Sequence, residues 1–279
     1  MEKPNLFIIG APKCATTFLY KTLTKDKNFF FPKIKELNYF SYSELLNKSY
    51  YHEYKIKTKT KYLSFFKNRN EKYLVDSSVS YFSNLSSHQK IFKFNNNAKI
   101  ILMYRDPIAR SFSHYKMDVR MGYANQNFLY YLDKKKNPLF YNQYILNSLY
   151  GRTLSNLLLY FKSEDIILIN QANLKNDLRK MFEKLNLNGY NFNDNYFLNK
   201  MNTDKRPSNI VSRYLLKNRS LTSKLKLFIP KPIINLYKKF SFDKKNIDII
   251  MSSKERKILA GLTNNDFKKF NELKSRLNL

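Results

Sequence analysis

Four short apolar runs recur along the chain, at residues 6–9 (Leu-Phe-Ile-Ile), 73–75 (Tyr-Leu-Val), 100–104 (Ile-Ile-Leu-Met-Tyr) and 166–169 (Ile-Ile-Leu-Ile). Each is continuous rather than alternating, and most are rich in β-branched residues, the pattern of strands buried on both faces. Helical periodicity fills the intervals. Apolar residues fall on one face at Ala15, Phe18, Leu19 and Leu23, and residues 107–121 form another amphipathic stretch. The spacing of Tyr144, Leu149, Leu154, Leu157, Leu158 and Phe161 predicts one helix over 140–162. Leu174, Leu178, Met181, Phe182 and Leu185 predict another over 174–186. Strands alternating with helices imply an α/β fold with a parallel sheet flanked by helices.

The stretch 196–253 is harder to read, with Pro207 and a basic-apolar segment from Lys224 to Phe240 broken by Pro230 and Pro232. A final helix is expected over 253–277. No Gly/Ser linker marks a boundary, so residues 1–279 read as one domain, with a core over about 5–206 and a mostly helical C-terminal extension over about 207–279.

Composition narrows the class. A 279-residue chain with 43% apolar and 16% aromatic residues can bury a sizeable core, despite a mean hydropathy of −0.55. No stretch approaches the ~20 apolar residues of a membrane span, and the N-terminus lacks a signal-peptide pattern. The single cysteine, Cys14, excludes a disulfide framework and a cysteine-rich metal site. His52, His88 and His114 are scattered, so no metal site is expected. These features predict a cytoplasmic protein or domain. Fifty-one Lys+Arg against 21 Asp+Glu give a net charge of +30, which suits nucleic acid, an anionic membrane surface or anionic small molecules and glycans. Mixed Lys/Asn stretches such as 133–137 and 199–206 also fit the codon bias of an AT-rich genome, a bland source for the same charge.

Chemistry concentrates where strands end, and ligands of open α/β sheets gather there. The first strand leads into Gly10-Ala-Pro-Lys13-Cys-Ala-Thr16-Thr17, the second into Asp76-Ser77-Ser78-Val79-Ser80-Tyr81-Phe82, and the third into Arg105-Asp106-Pro107 and a helix carrying Arg110 and Ser113. A lysine-bearing turn before a helix start holds anions through free N–H groups and the positive end of the helix dipole. Cations and hydroxyls from three loops suit a ligand with more than one phosphate. In Gly-x4-Gly-Lys-Ser/Thr terms, Ala15 replaces the second glycine and Lys13 sits three positions early, which argues against a nucleotide kinase. A non-catalytic nucleic-acid binder is the other competing class, but no nucleic-acid motif is found. Cys14 reads as a small residue fitting the turn rather than as a nucleophile.

Four of these elements carry a family resemblance. Phe7-Ile-Ile-Gly-Ala-Pro-Lys-Cys-Ala-Thr-Thr17, Lys35-Glu-Leu-Asn-Tyr-Phe40, Val75-Asp-Ser-Ser-Val-Ser-Tyr-Phe82 and Tyr104-Arg-Asp-Pro-Ile-Ala-Arg-Ser-Phe-Ser-His-Tyr115 resemble, in order, motifs of the sulfotransferases that use 3′-phosphoadenosine 5′-phosphosulfate (PAPS). The likeness is nearest to the branch of heparan-sulfate-type and bacterial carbohydrate sulfotransferases. It weakens through 150–206, including Asn202-Thr203, and adds nothing beyond about 215.

The resemblance implies a P-loop-like domain with PAPS as co-substrate and no metal. Lys13 would contact the 5′-phosphosulfate, alongside Thr16, Thr17 and the loop around Cys14 and Ala15. Arg105 and Ser113 would grip the 3′-phosphate, and Glu36 would be the general base for in-line transfer. The implied acceptor is a hydroxyl or amine of a carbohydrate or glycolipid, with a peripheral contact to an anionic membrane as a further partner and nucleic acid not expected. His114, Asp76 and His52 are the next candidates for the base. Two positions depart from the family: Ser77 stands where relatives carry a lysine, leaving Lys35 or Lys33 to compensate, and Asn38 stands where many have histidine.

Overall fold

The structure, a computed structural model, describes residues 2–48, 56–187, 206–207, 242–243 and 249–279. Strand β1 (Leu6–Gly10) is buried along its whole length because it lies at the middle of a five-stranded sheet. β2 (Phe29–Phe30) and β3 (Tyr73–Asp76) lie on one side of it, and β4 (Lys99–Tyr104) and β5 (Ile166–Asn170) on the other, in the order β2-β3-β1-β4-β5. Every pair in this sheet is parallel. The continuous apolar runs are thus explained: helices cover both faces, leaving no solvent side for alternation. β2 is a two-residue edge strand, too short to leave a periodic signal. The chain builds from β1 toward β2 and β3 and then crosses to β4, so a topological switch point falls beside the C-terminal end of β1.

Three helices lie in the chain's first third: α1 (Thr16–Leu23), α2 (Tyr42–Lys48) and α3 (Lys59–Ser64). α4 (Ser86–Phe94) then leads into β4. α5 (Pro107–Met121) matches its expected span; the Asp106 side chain accepts from the Ala109 N–H, Pro107 opens the first turn, and left-handed Gly122 (φ 74°) closes the helix. α6 (Phe128–Tyr131) and α7 (Pro138–Tyr144) pack with α5 around a second apolar cluster. The helix expected over 140–162 is two helices instead, α7 and α8 (Tyr150–Leu157). The Gln143 and Tyr144 carbonyls, which a continuous helix would offer to residues 147 and 148, are taken by the Arg110 guanidinium at 2.7 and 2.8 Å. α9 (Leu174–Lys184) follows β5.

The final helix, α10 (Ser253–Arg276), starts with a capping box between Ser252 and Glu255. It is integral to the core rather than an appendage. The Asp266 carboxylate accepts the Gly151 and Arg152 N–H groups at 2.8 and 2.7 Å, capping α8, while Phe270 is buried against Tyr104 and Tyr150. A two-residue antiparallel pair, β6 (Arg206–Pro207) with β7 (Phe242–Asp243), lies outside the main sheet. The basic segment 224–240, Asn202-Thr203 and His52 lie outside the described residues.

Candidate active site

β3, β1 and β4 are adjacent and parallel, so the three loops singled out in the sequence leave the same edge of the sheet. The first is built on glycine. Gly10 has φ +137°, and a Cβ there would come within 2.8 Å of the Phe82 Cβ and 3.3 Å of the Val79 carbonyl. The loop therefore packs directly on the turn that follows β3, and the Ala11 N–H ties it to β4 through the Met103 carbonyl at 2.8 Å. Lys13 (φ 71°) and Ala15 (φ 66°) are left-handed while Cys14 between them is not. Alternating handedness of this kind turns successive N–H groups toward one point and makes an anion-binding concavity. α1 begins there without a side-chain cap and without an acidic residue in its first turn. Thr16 is buried and Thr17 exposed at its start.

The cationic groups meet over this loop. The Arg105 guanidinium donates to the Lys13 carbonyl at 3.4 Å, so the β4 loop closes on the β1 loop. The Lys13 ammonium reaches the Met117 sulfur at 3.5 Å. Ser113, half-buried, lies four residues before Met117 on α5, so the two share a helix face and Lys13 points toward the face bearing Ser113. Lys13 and Arg105 thus meet over the β1 loop, beside the start of α1 that carries Thr16 and Thr17 and the α5 face that carries Ser113.

Three other residues take structural positions. Cys14 is fully buried, its sulfur 3.3 Å from the Tyr150 hydroxyl, its N–H bonded to the Ala11 carbonyl, and burial pushes its thiol up to about 11. Arg110, carried on the helix that follows the β4 loop, is fully buried. Its Nε donates to the Ser148 hydroxyl at 2.7 Å, and its other nitrogens hold the Gln143, Tyr144 and Pro12 carbonyls. It clamps the β1 loop to the α7–α8 corner. His114 lies beside it, Nδ1 3.1 Å from the guanidinium; burial and the Arg110 charge hold its protonated form well below the usual histidine range.

Glu36 sits over the end of β3. Both it (φ 67°) and Asn38 (φ 53°) are left-handed, and the Glu36 carboxylate pairs with the Lys35 ammonium. Asp76, by contrast, is withdrawn from the cleft. It is fully buried and accepts hydroxyl hydrogen bonds from Tyr62, Tyr81 and Ser78 at 2.7, 2.8 and 2.6 Å; burial outweighs these and raises its carboxyl.

A sulfotransferase domain profile matches residues 3–244, most of the chain. The chain belongs to the sulfotransferase domain family. It is similar to the membrane-associated sulfotransferase kil1 of Dictyostelium discoideum, 32% identical over 127 residues, which cover 44% of this chain and 25% of that protein. The chain thus spans about a quarter of the length of that relative. Its fold is similar to the crystal structure of a sulfotransferase from Alicyclobacillus acidocaldarius, with a TM-score of 0.69 at 20% identity, covering 100% of this chain and 97% of that one.

Sulfotransferase domains draw their sulfuryl group from PAPS, and the cleft of this domain fits a phosphate-bearing donor. The left-handed turns at Lys13 and Ala15, the uncapped start of α1, and the Lys13 and Arg105 side chains all meet at one end of the sheet. Ser77, at the position where the motif resemblance implies a lysine, is buried and its hydroxyl has no hydrogen-bond partner. Of the two lysines that could compensate, Lys33 is exposed and Lys35 lies against Glu36 and within 6.0 Å of the Tyr20 ring. Among the described residues no cluster of three His, Cys, Asp or Glu side chains suits a metal ion, and no helix is long and apolar enough to cross a membrane.

Proposed function

We propose that this chain moves a sulfuryl group from PAPS to a hydroxyl or amine of a carbohydrate or glycolipid, as in the heparan-sulfate-type and bacterial carbohydrate branch. The observation that carries the reading is the closure of the Arg105 loop on the Lys13 loop at the shared end of β1 and β4. In this reading Lys13 lies beside the 5′-phosphosulfate, where negative charge grows on the leaving oxygen, and stabilises that charge. Thr16, Thr17 and the loop backbone at Cys14 and Ala15 hold the same phosphate, with the Cys14 thiol facing the core. Arg105 and Ser113 grip the 3′-phosphate, and Glu36, at the β3 side of the cleft, takes the proton from the acceptor hydroxyl. Positioning and electrostatics carry the transfer, as they do for phosphoryl groups.

The acceptor class rests on the motif likeness and on the net charge of +30, which suits acidic or lipid-linked glycans. Cytoplasmic placement with a peripheral contact at the inner membrane face is part of the same reading, supported by that charge and by the membrane association named for the Dictyostelium relative. Incubating the protein with [35S]PAPS and a panel of cell-envelope extracts tests it. Label is expected in glycan or glycolipid fractions; label confined to protein or small phenols would overturn the acceptor assignment. Thermal stabilisation by adenosine 3′,5′-bisphosphate and not by oligonucleotides is the companion result, and the converse would favour a nucleic-acid binder.

A further inference from the structure

Asn38 connects the withdrawn Asp76 cluster to the Glu36 segment. Its backbone N–H donates to the Ser78 hydroxyl at 3.0 Å, and that hydroxyl in turn donates to Asp76 at 2.6 Å. Its side chain works in both directions: the amide N–H donates to the Glu36 carbonyl at 3.0 Å, and the amide oxygen accepts from the Ser80 hydroxyl at 2.6 Å. Ser80 is held by the Ser41 hydroxyl at 2.7 Å. Asn38 is 1% exposed, so it offers nothing to solvent. A glutamate at positive φ persists only where its surroundings hold it, and the Asn38 amide grips the carbonyl of that very residue. The Asn38 amide supplies both a donor for the Glu36 carbonyl and an acceptor for the Ser80 hydroxyl, a pair that an ionised aspartate or an aliphatic side chain could not provide.

We propose that Asn38 is a positioning residue, which fixes the left-handed turn at Glu36 and so aims the Glu36 carboxylate at the acceptor. The inference rests on Glu36 being the base. Asn38 touches neither donor nor acceptor in this account; it acts through Glu36 alone. The position where relatives carry histidine is here a backbone clamp.

The test is single-turnover transfer from labelled PAPS by wild type, Glu36→Gln, Asn38→Gly and the double variant. Glycine keeps the left-handed backbone accessible and removes only the amide. Asn38→Gly is expected to lower the transfer rate by about 10–100-fold, the order of loss that misplacement of a reacting group causes, with donor KM and adenosine bisphosphate affinity unchanged. The double variant is expected to match Glu36→Gln alone, because Asn38 has nothing to position once the base is gone. A wild-type rate in Asn38→Gly, or an equal further loss in the Glu36→Gln background, overturns the inference. A wild-type rate in Glu36→Gln overturns the base assignment itself, which separates the two failures. Should Asn38→Gly not fold, Ser80→Ala decides: it frees the amide oxygen and should lower the rate in the same way, and an unchanged rate would refute the clamp.

Discussion

Gly151 lets α8 and α10 approach closely enough for Asp266 to cap α8, and a single methyl group should undo that. An alanine Cβ at this position would lie 2.4 Å from the Asp266 carbonyl oxygen and 3.1 Å from the Phe270 nitrogen. Both are backbone atoms, so no side chain can swing aside. Restoring even 3.0 Å requires the helices to part by 0.6 Å or more, which also stretches the two bonds from the Gly151 and Arg152 N–H groups to Asp266. Overpacking costs about 1–3 kcal/mol and two weakened bonds about 1 kcal/mol each. Alanine's helix preference returns about 1 kcal/mol. The net is a loss of about 2–4 kcal/mol, or roughly 3–7 °C in Tm. Gly261 on α10 is the matched control: a Cβ there meets nothing within 4 Å, so Gly261→Ala should raise stability by about 0.5–1 kcal/mol. Differential scanning calorimetry of the two variants measures both. The effect should reach the cleft as well, since Tyr150, next in sequence, contacts the Cys14 sulfur and receives the Arg105 N–H at 3.4 Å. Equal melting temperatures for Gly151→Ala and wild type would refute the close approach of α8 and α10.

Other perturbations read the cleft and its support. Lys13→Ala should cut transfer by about 100–1000-fold, the scale for losing a group aimed at developing charge, while circular dichroism stays unchanged; intact turnover would remove Lys13 from the chemistry. Arg105→Ala should weaken adenosine 3′,5′-bisphosphate binding by about 10–100-fold in Kd, measured by calorimetry, and unchanged affinity would argue against the 3′-phosphate role. His88 is fully buried between the Asn156 side chain and the Tyr81 carbonyl, and burial lowers it from 6.5 to about 4. The unfolded chain therefore binds a proton that the folded one refuses, so stability should fall as pH drops from about 6.5 to 4, by about 3 kcal/mol from this residue. His88→Gln should flatten that part of the stability–pH curve; an identical slope would mean the ring is not the source.

The sheet was legible because its signals are local. Runs such as Leu6–Ile9 and Ile166–Ile169 announce buried strands by themselves, and Asp106-Pro107 with Gly122 brackets α5 through backbone preferences that need no partner. The loops at Gly10, Asp76 and Arg105 likewise point to a phosphate-bearing ligand, because strand ends of a parallel sheet share an edge. Tertiary structure decided what periodicity could not. The α7–α8 break follows from Arg110 taking carbonyls 33 and 34 residues away. Asp76 and Cys14, both chemically able in sequence, are removed from solvent by Tyr62, Tyr81 and Tyr150, the last lying 136 residues from Cys14. The place of α10 depends on an Asp266–Gly151 contact spanning 115 residues. Sequence determines which local conformations are cheap and which chemical groups are available. Only the folded chain, by desolvating some of those groups and closing hydrogen bonds between distant ones, decides which face the cleft and which hold it in shape.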